Sequence, residues 1–172
     1  MLAEALRDIA VTEGTVRTPL AEARAVRLAR RVTLVPVLRA GLALLEPALH
    51  LLPEDTRVGF LGLSRDEATL EPAAYAERLP PHLAEDDVVV LEVMIATGGS
   101  AVAALDALER AGGRSIRLVG LVAAPEGIRR VVASHPHVPI TVAAIDERLD
   151  ERGFIVPGLG DAGDRLYGES GG

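Results

Sequence analysis

The chain has no cysteine, and that absence removes disulfides, thiolate metal sites and cysteine nucleophiles together. It suits a reducing compartment. Positive charge is scarce as well: 18 Lys and Arg stand against 25 Asp and Glu, a net charge of -7. The basic footprint of a non-specific nucleic-acid binder is therefore missing, and no nucleic-acid partner is expected. No apolar run approaches the roughly 18 residues of a membrane span, and the opening stretch does not join a basic start to a long apolar core. The expectation is a cytoplasmic protein without a membrane partner. No internal repeat or low-complexity tract interrupts the 172 residues. Four histidines do not add up to a metal site: His135-Pro136-His137 lacks the helical spacing of a zinc pair and has no third ligand nearby, so it reads as a solvated loop.

What is present suits one compact domain spanning 1–172, with 49% hydrophobic residues to build its core. Apolar β-branched runs alternate with helical patterns, which predicts an α/β fold: a mainly parallel sheet with helices on both faces. Met1 to Ile9 reads as a short helix, and Gly14 to Thr18 with Ala21 to Val26 as a hairpin turning near Pro19. Strands are predicted at Val32 to Leu38, Val58 to Leu63, Val88 to Leu91, Ile116 to Ala124 and Ile140 to Ile145. Helices are predicted at Ala43 to Leu52, Ala101 to Ala111 and Glu126 to Ala133. Ser64 to Pro81 is polar, proline-punctuated and too long for a tight connection, so it reads as a functional flap or a disordered segment. From Asp146 onward the chain is rich in Gly and Asp and reads as a structured loop region, with 169–172 fraying.

The most informative stretch runs from Val88 to Ser100. An apolar strand ends at Glu92, and Thr97-Gly98-Gly99-Ser100 then opens a helix. Two residues of this turn lack a Cβ and two carry hydroxyls, so backbone N–H groups can approach an anion at the positive end of the helix. Such turns also carry glycine for purely steric reasons. The acidic Glu92 beside the turn suits a sugar hydroxyl or a hydrated metal ion, and the pair points to a phosphorylated sugar. Arg39, at the end of another strand, is either a solvated terminus or a cation aimed at that ligand. Arg65 follows the Val58 to Leu63 strand, where a surface salt bridge with Asp66 or Glu67 is one reading. Arg129-Arg130 and Glu151-Arg152 read as ordinary charged faces.

Several separated motifs share one likeness: Val35-Pro36-Val37-Leu38-Arg39-Ala40-Gly41, Arg65-Asp66-Glu67-Ala68-Thr69-Leu70-Glu71-Pro72, Glu92-Val93-Met94-Ile95-Ala96-Thr97-Gly98-Gly99-Ser100, Leu121-Val122-Ala123-Ala124-Pro125-Glu126-Gly127, and Ile155-Val156-Pro157-Gly158-Leu159-Gly160-Asp161-Ala162-Gly163-Asp164-Arg165. From Val35 to its C-terminus the chain resembles the uracil phosphoribosyltransferases, of type I phosphoribosyltransferase fold. The resemblance implies transfer of the 5-phosphoribosyl group from phosphoribosyl diphosphate to uracil, giving uridine monophosphate and diphosphate.

By the same resemblance Arg39 and Arg65 bind the diphosphate, Glu92 to Ser100 (Glu92, Val93, Met94, Ile95, Ala96, Thr97, Gly98, Gly99, Ser100) bind the ribose phosphate, and Ile155, Gly160 and Ala162 read the base through their backbones. Asp161 contacts the ribosyl side, and Asp161, Arg39 and Arg65 are the catalytic candidates. Magnesium is implied as a cofactor carried mainly by the substrate, with no metal held by the protein alone. A flexible hood is implied over about 64–81, a base-binding loop over about 146–168, and a homodimer or higher homo-oligomer as the assembly. The chain departs from the family pattern at Glu92 (usually Asp), Val93 (Pro), Ser64 and Phe154 (both Tyr) and His137 (Asp), and its N-terminal arm is short. Glu92, Val93, Ser64 and Phe154, with the short arm, support a second reading, a weakly active or inactive relative that senses uridine monophosphate or phosphoribosyl diphosphate.

Overall fold

The computed structural model describes residues 1–65 and 72–168, with the side chains at 64, 65 and 72–74 outside that description. In chain order the elements are α1 (Leu2–Ala5), β1 (Val11–Arg17), β2 (Glu22–Leu28), β3 (Val32–Leu38), α2 (Leu42–Leu49), β4 (Arg57–Val58), β5 (Phe60–Arg65), β6 (Pro72–Arg78), β7 (Asp87–Ile95), α3 (Gly99–Arg110), β8 (Ser115–Ala123), α4 (Pro125–Ser134), β9 (Ile140–Ile145), β10 (Arg148–Leu149), β11 (Ile155–Val156) and α5 (Ala162–Tyr167). Among the described residues the main sheet has seven strands in the order β6-β5-β3-β7-β8-β9, with β4 beside β3. All of its pairings are parallel except β5 with β6.

The sheet is covered on both faces because its central strands β3 and β7 are near-continuous apolar runs, buried at almost every position. Side chains alternate across a strand, so Val32 and Leu34 of β3 and Val89 and Leu91 of β7 pack with Leu2, Ala5 and Ala48 under α1 and α2. Val35, Val37, Val88 and Val90 point the other way, against Ala101, Ala104, Leu105 and Leu108 of α3 and Val131 of α4. These runs bury on both faces at once, which is why they show no alternation in the sequence.

Several boundaries differ from the sequence expectation for identifiable reasons. The first helix stops at Ala5, not Ile9, because Arg7 and Ile9 donate to carbonyls only three residues back. The same tightening at Leu51 and Leu52 ends α2 at Leu49 instead of Leu52. One expected strand over Val58 to Leu63 is split at Gly59, whose N–H donates to Leu34. The Gly- and Asp-rich end was expected to be loop throughout. It contains α5, started by Asp161, whose Oδ1 accepts from the Asp164 N–H at 3.0 Å. His135 also departs from the solvated-loop reading: it is 3% exposed, with Nε2 3.2 Å from Asp106 and 3.7 Å from Glu109 of α3. These acids lie close in space, not in sequence, and tie the end of α3 to the turn after α4. Among the described residues no cluster of three or more His, Cys, Asp or Glu has metal-binding geometry.

The strand that carries the diagnostic stretch runs past its expected end at Leu91 to Ile95. Pairing between β3 and β7 ends at Pro36 with Leu91, while β8 continues alongside, from Glu92 opposite Gly120 to Ile95 opposite Ala123. Beyond Leu91, β7 thus has β8 on one side and the turn after β3 on the other. The chain leaves β3 toward β5 on one flank and returns to β7 on the opposite flank, so this opening is the topological switch of the sheet. The expected flap begins as an antiparallel hairpin in which β6 runs back along β5, from Arg65 opposite Pro72 to Phe60 opposite Arg78. The tip of the expected hood, 66–71, lies outside the described residues.

Candidate active site

At the switch the carboxyl ends of β3 and β7 form a cleft of about 500 Å³, lined by Arg39, Gly41, Tyr75, Glu92, Met94, Ser100 and Asp161 among others. It continues into a recess of about 200 Å³ lined by the whole turn from Ala96 to Ala101. Glu92, Met94, Ser100 and Asp161 border both.

The recess is shaped by backbone. Gly98 has φ 77°, the left-handed region that glycine enters without penalty, and it caps α3. The turn rests on α4: a Cβ at Gly127 would strike the Ala96 carbonyl oxygen and lie 2.7 Å from that of Ile95. A Cβ at Gly98 would in turn lie 2.7 Å from the Gly127 carbonyl oxygen. Gly127 therefore belongs to the site by letting α4 approach. Its place in the Leu121 to Gly127 motif was the only sequence signal, and no role followed from it. Arg130 is a correction. Although exposed, it does not merely face solvent: a Cβ at Gly99 would sit 3.4 Å from its Nη1 and 3.6 Å from Thr97 Oγ1, so its guanidinium lies along the outer side of the turn.

Glu92 sits in the wall between the two cavities, 9% exposed. Its Oε2 is buried with no hydrogen-bond partner among the described residues. Burial pushes its carboxyl up to about 8, because an ionised group there has exchanged water for apolar neighbours. Val93 points to the other face, into an apolar cavity of about 330 Å³ beside Leu44, Leu159, Ala162 and Leu166.

Arg39 reaches the cleft already engaged. One terminal nitrogen donates to Asp164 Oδ1 at 2.6 Å and the other to the Gly168 carbonyl at 3.1 Å. The turn behind it is tight, since a Cβ at Gly41 would strike the Leu91 carbonyl oxygen and lie 2.6 Å from that of Val37. Arg65 closes β5, and its side chain is outside the description. Tyr75 lies over Gly62 and borders the cleft.

The C-terminal loop is held from three directions. Gly158 N–H donates to Asp146 Oδ2 at 2.9 Å, Arg165 donates to the Leu159 carbonyl at 3.0 Å, and Gly158 at φ 56° packs on Ile155 with no room for a side chain. Asp146 is a loop anchor that drew no notice in the sequence. Of the expected base readers, Ile155 is buried beneath the loop, Gly160 is exposed at φ 71°, and Ala162 is buried at the start of α5. The two cavities thus gather Arg39, Glu92, Val93, Met94, Ile95, the 96–100 turn and Asp161, while Ile155, Gly160 and Ala162 border neither.

The chain matches the model of the uracil phosphoribosyltransferase family over residues 1–169. It belongs to the uracil phosphoribosyltransferase family. A uracil phosphoribosyltransferase of Roseiflexus castenholzii is 51% identical over 168 residues, 98% of this chain and 80% of that protein. Another from Thermus thermophilus is 49% identical over 169 residues, 98% of this chain and 81% of the relative. The solved structure of the AQ2163 protein from Aquifex aeolicus superposes with a TM-score of 0.92 at 44% identity, covering 98% of this chain and 81% of that one. A purine phosphoribosyltransferase from Pyrococcus horikoshii shares the fold alone, with a TM-score of 0.54 at 16% identity over 67% of this chain and 70% of its own. Of the departures from the family pattern, Glu92 stands at the junction of the two cavities, and Val93 lies beside it between the cleft and the apolar cavity on the other face.

Proposed function

We propose that this member of the uracil phosphoribosyltransferase family transfers the phosphoribosyl group from phosphoribosyl diphosphate to a uracil ring nitrogen, releasing diphosphate and forming uridine monophosphate. The observation that carries this reading is the continuity of the cleft: an anion turn, a carboxylate and an arginine border one space in the order that 5-phosphate, ribose and diphosphate require. Thr97 to Ser100 would hold the 5-phosphate through backbone N–H groups. Arg39, with Arg65 arriving from β5, would neutralise the departing diphosphate through fork-shaped hydrogen bonds. As the bond to diphosphate lengthens, positive charge grows on the ribose, and the Asp161 carboxylate, joined by Glu92 once it is ionised, would oppose it. No covalent enzyme intermediate is needed, because alignment of the two reactants supplies much of the acceleration.

The oxygen donors fit magnesium: Glu92 offers an unpartnered carboxylate oxygen and Asp161 a second acid, and the ion, brought by the substrate, would offset diphosphate charge. Ile155, Gly160 and Ala162 would present fixed backbone groups to the base, and an amino group in place of a carbonyl oxygen would leave a donor unpaired. We assign the whole chain, 1–172, to one functional unit with the hood at 64–81 and the base loop at 146–168. The reaction belongs in the cytoplasm, where its charged substrate need cross no membrane. Among the described residues no helix is long and apolar enough to span one.

The test is direct. Purified protein incubated with magnesium, phosphoribosyl diphosphate and labelled uracil should yield labelled uridine monophosphate. Binding of phosphoribosyl diphosphate without turnover would instead support the sensor reading, which the buried, proton-retaining Glu92 favours.

A further inference from the structure

Arg39 and the base loop meet on one short helix. Both Arg39 hydrogen bonds go to α5 or to the residue that ends it, Asp164 and Gly168. Asp164 in turn gives its backbone N–H to Asp161, the acid that borders both cavities. The guanidinium lies close against the first turn of α5: a Cβ at Gly163 would be 3.3 Å from Arg39 Nη2 and 3.2 Å from Asp161 Oδ1. The residue after Asp164, Arg165, holds the Leu159 carbonyl of the base loop.

Stability does not explain the Arg39–Asp164 pair. Both side chains are 38% exposed, and ion pairs at such exposure add little to folding. Placement does explain it. A free arginine spreads over many rotamers, all but a few of which must be given up to grip a diphosphate. An arginine already held by two of its five N–H groups can offer the others without that loss. We infer that Asp164 is a positioning residue, which holds the Arg39 guanidinium at the cleft for the diphosphate end of the substrate. This rests on the proposed reading of the site and adds to it a residue that touches no ligand itself. Simple electrostatics predicts the reverse: removing a carboxylate near an anion site should tighten anion binding.

The test is a double-mutant cycle on Arg39→Ala and Asp164→Ala, with Asp164→Asn as the conservative variant. Asp164→Ala should lower kcat/KM for phosphoribosyl diphosphate about tenfold and weaken its binding, leaving the KM for uracil within about twofold. Asp164→Asn, which keeps an acceptor, should lose less. In the Arg39→Ala background Asp164→Ala should change nothing further, since it acts through Arg39. Additive effects, a parallel rise in the uracil KM with a lower Tm, or tighter binding of phosphoribosyl diphosphate would each overturn the assignment. The cycle can also be read by calorimetry with magnesium and phosphoribosyl diphosphate alone. A wild type that binds but does not turn over therefore refutes the enzyme reading while still testing Asp164, and a wild type that binds nothing refutes both.

Discussion

Glu92 is the residue on which the chemistry of this cleft turns, because its carboxyl is buried, lacks a partner for one oxygen and keeps its proton up to about pH 8. Its ordinary value is 4.5, so the unfolded chain releases this proton well before the folded one does. The stability it contributes is therefore fully present below about pH 4.5, falls as pH rises, and is gone above about pH 8, a loss of at most a few kcal/mol. Thermal unfolding followed by circular dichroism should show the Tm of the wild type dropping from pH 5 to 8 relative to Glu92→Gln, which removes the titration. Ligand binding runs the other way. Ribose hydroxyls donate to an ionised carboxylate, so affinity for phosphoribosyl diphosphate should rise with pH by up to about tenfold per unit and level off near pH 8. The same titration of Glu92→Gln by calorimetry isolates the contribution of this group; parallel slopes in the two proteins would refute it. The sequence marks Glu92 as an acid before an anion turn. Its burial accompanies the continuation of β7 beside β8 as far as Ile95, a tertiary fact that no local pattern carries.

At the scale of elements, the phosphate turn is set by what lies beneath it. Gly127→Ala would push a methyl group into the Ala96 and Ile95 carbonyls, backbone atoms that can yield only if the turn moves. Overpacking of this kind costs about 1–3 kcal/mol, and misplacement on the order of 1 Å can reduce a rate about a hundredfold. We expect Gly127→Ala to lower the Tm by several degrees and kcat/KM for phosphoribosyl diphosphate at least tenfold. Gly14→Ala in β1, where a Cβ meets nothing within 4 Å, should do neither. The strands were legible because β3, β7 and β8 are near-continuous apolar runs, and the anion turn because it follows one of them. The support of that turn by Gly127 and Arg130 was not, since a lone glycine and an arginine pair look alike on any helix surface. The Arg39–Asp164 pair spans 125 residues and is visible only after folding. α5 escaped notice for a related reason: six residues beginning Ala-Gly-Asp make too short and polar a segment to show helical periodicity.

At the scale of the molecule, β1 and β2 form a separate sheet of two strands among the described residues, and all seven residues of β1 are exposed. Such a hairpin is marginal on its own in water. Val11 and Val26 are 55% and 65% exposed, and both border an apolar groove of about 780 Å³ with Leu2, Leu6, Leu51 and Leu52. Exposed apolar surface of this kind would suit the homo-oligomer contact expected from the sequence. Each copy carries a net charge of -7, so two copies repel at long range and the contact must be made by apolar area. Light scattering should therefore find an assembly that strengthens with added salt and that the double substitution Val11→Lys and Val26→Lys reduces toward the monomer. The groove borders Val32 and Thr56 at the amino ends of β3 and β4, while Arg39 and Glu92 lie toward the carboxyl ends of the strands. The doubly substituted protein should accordingly lose assembly while still binding phosphoribosyl diphosphate. Loss of both together would mean that a second copy completes the site.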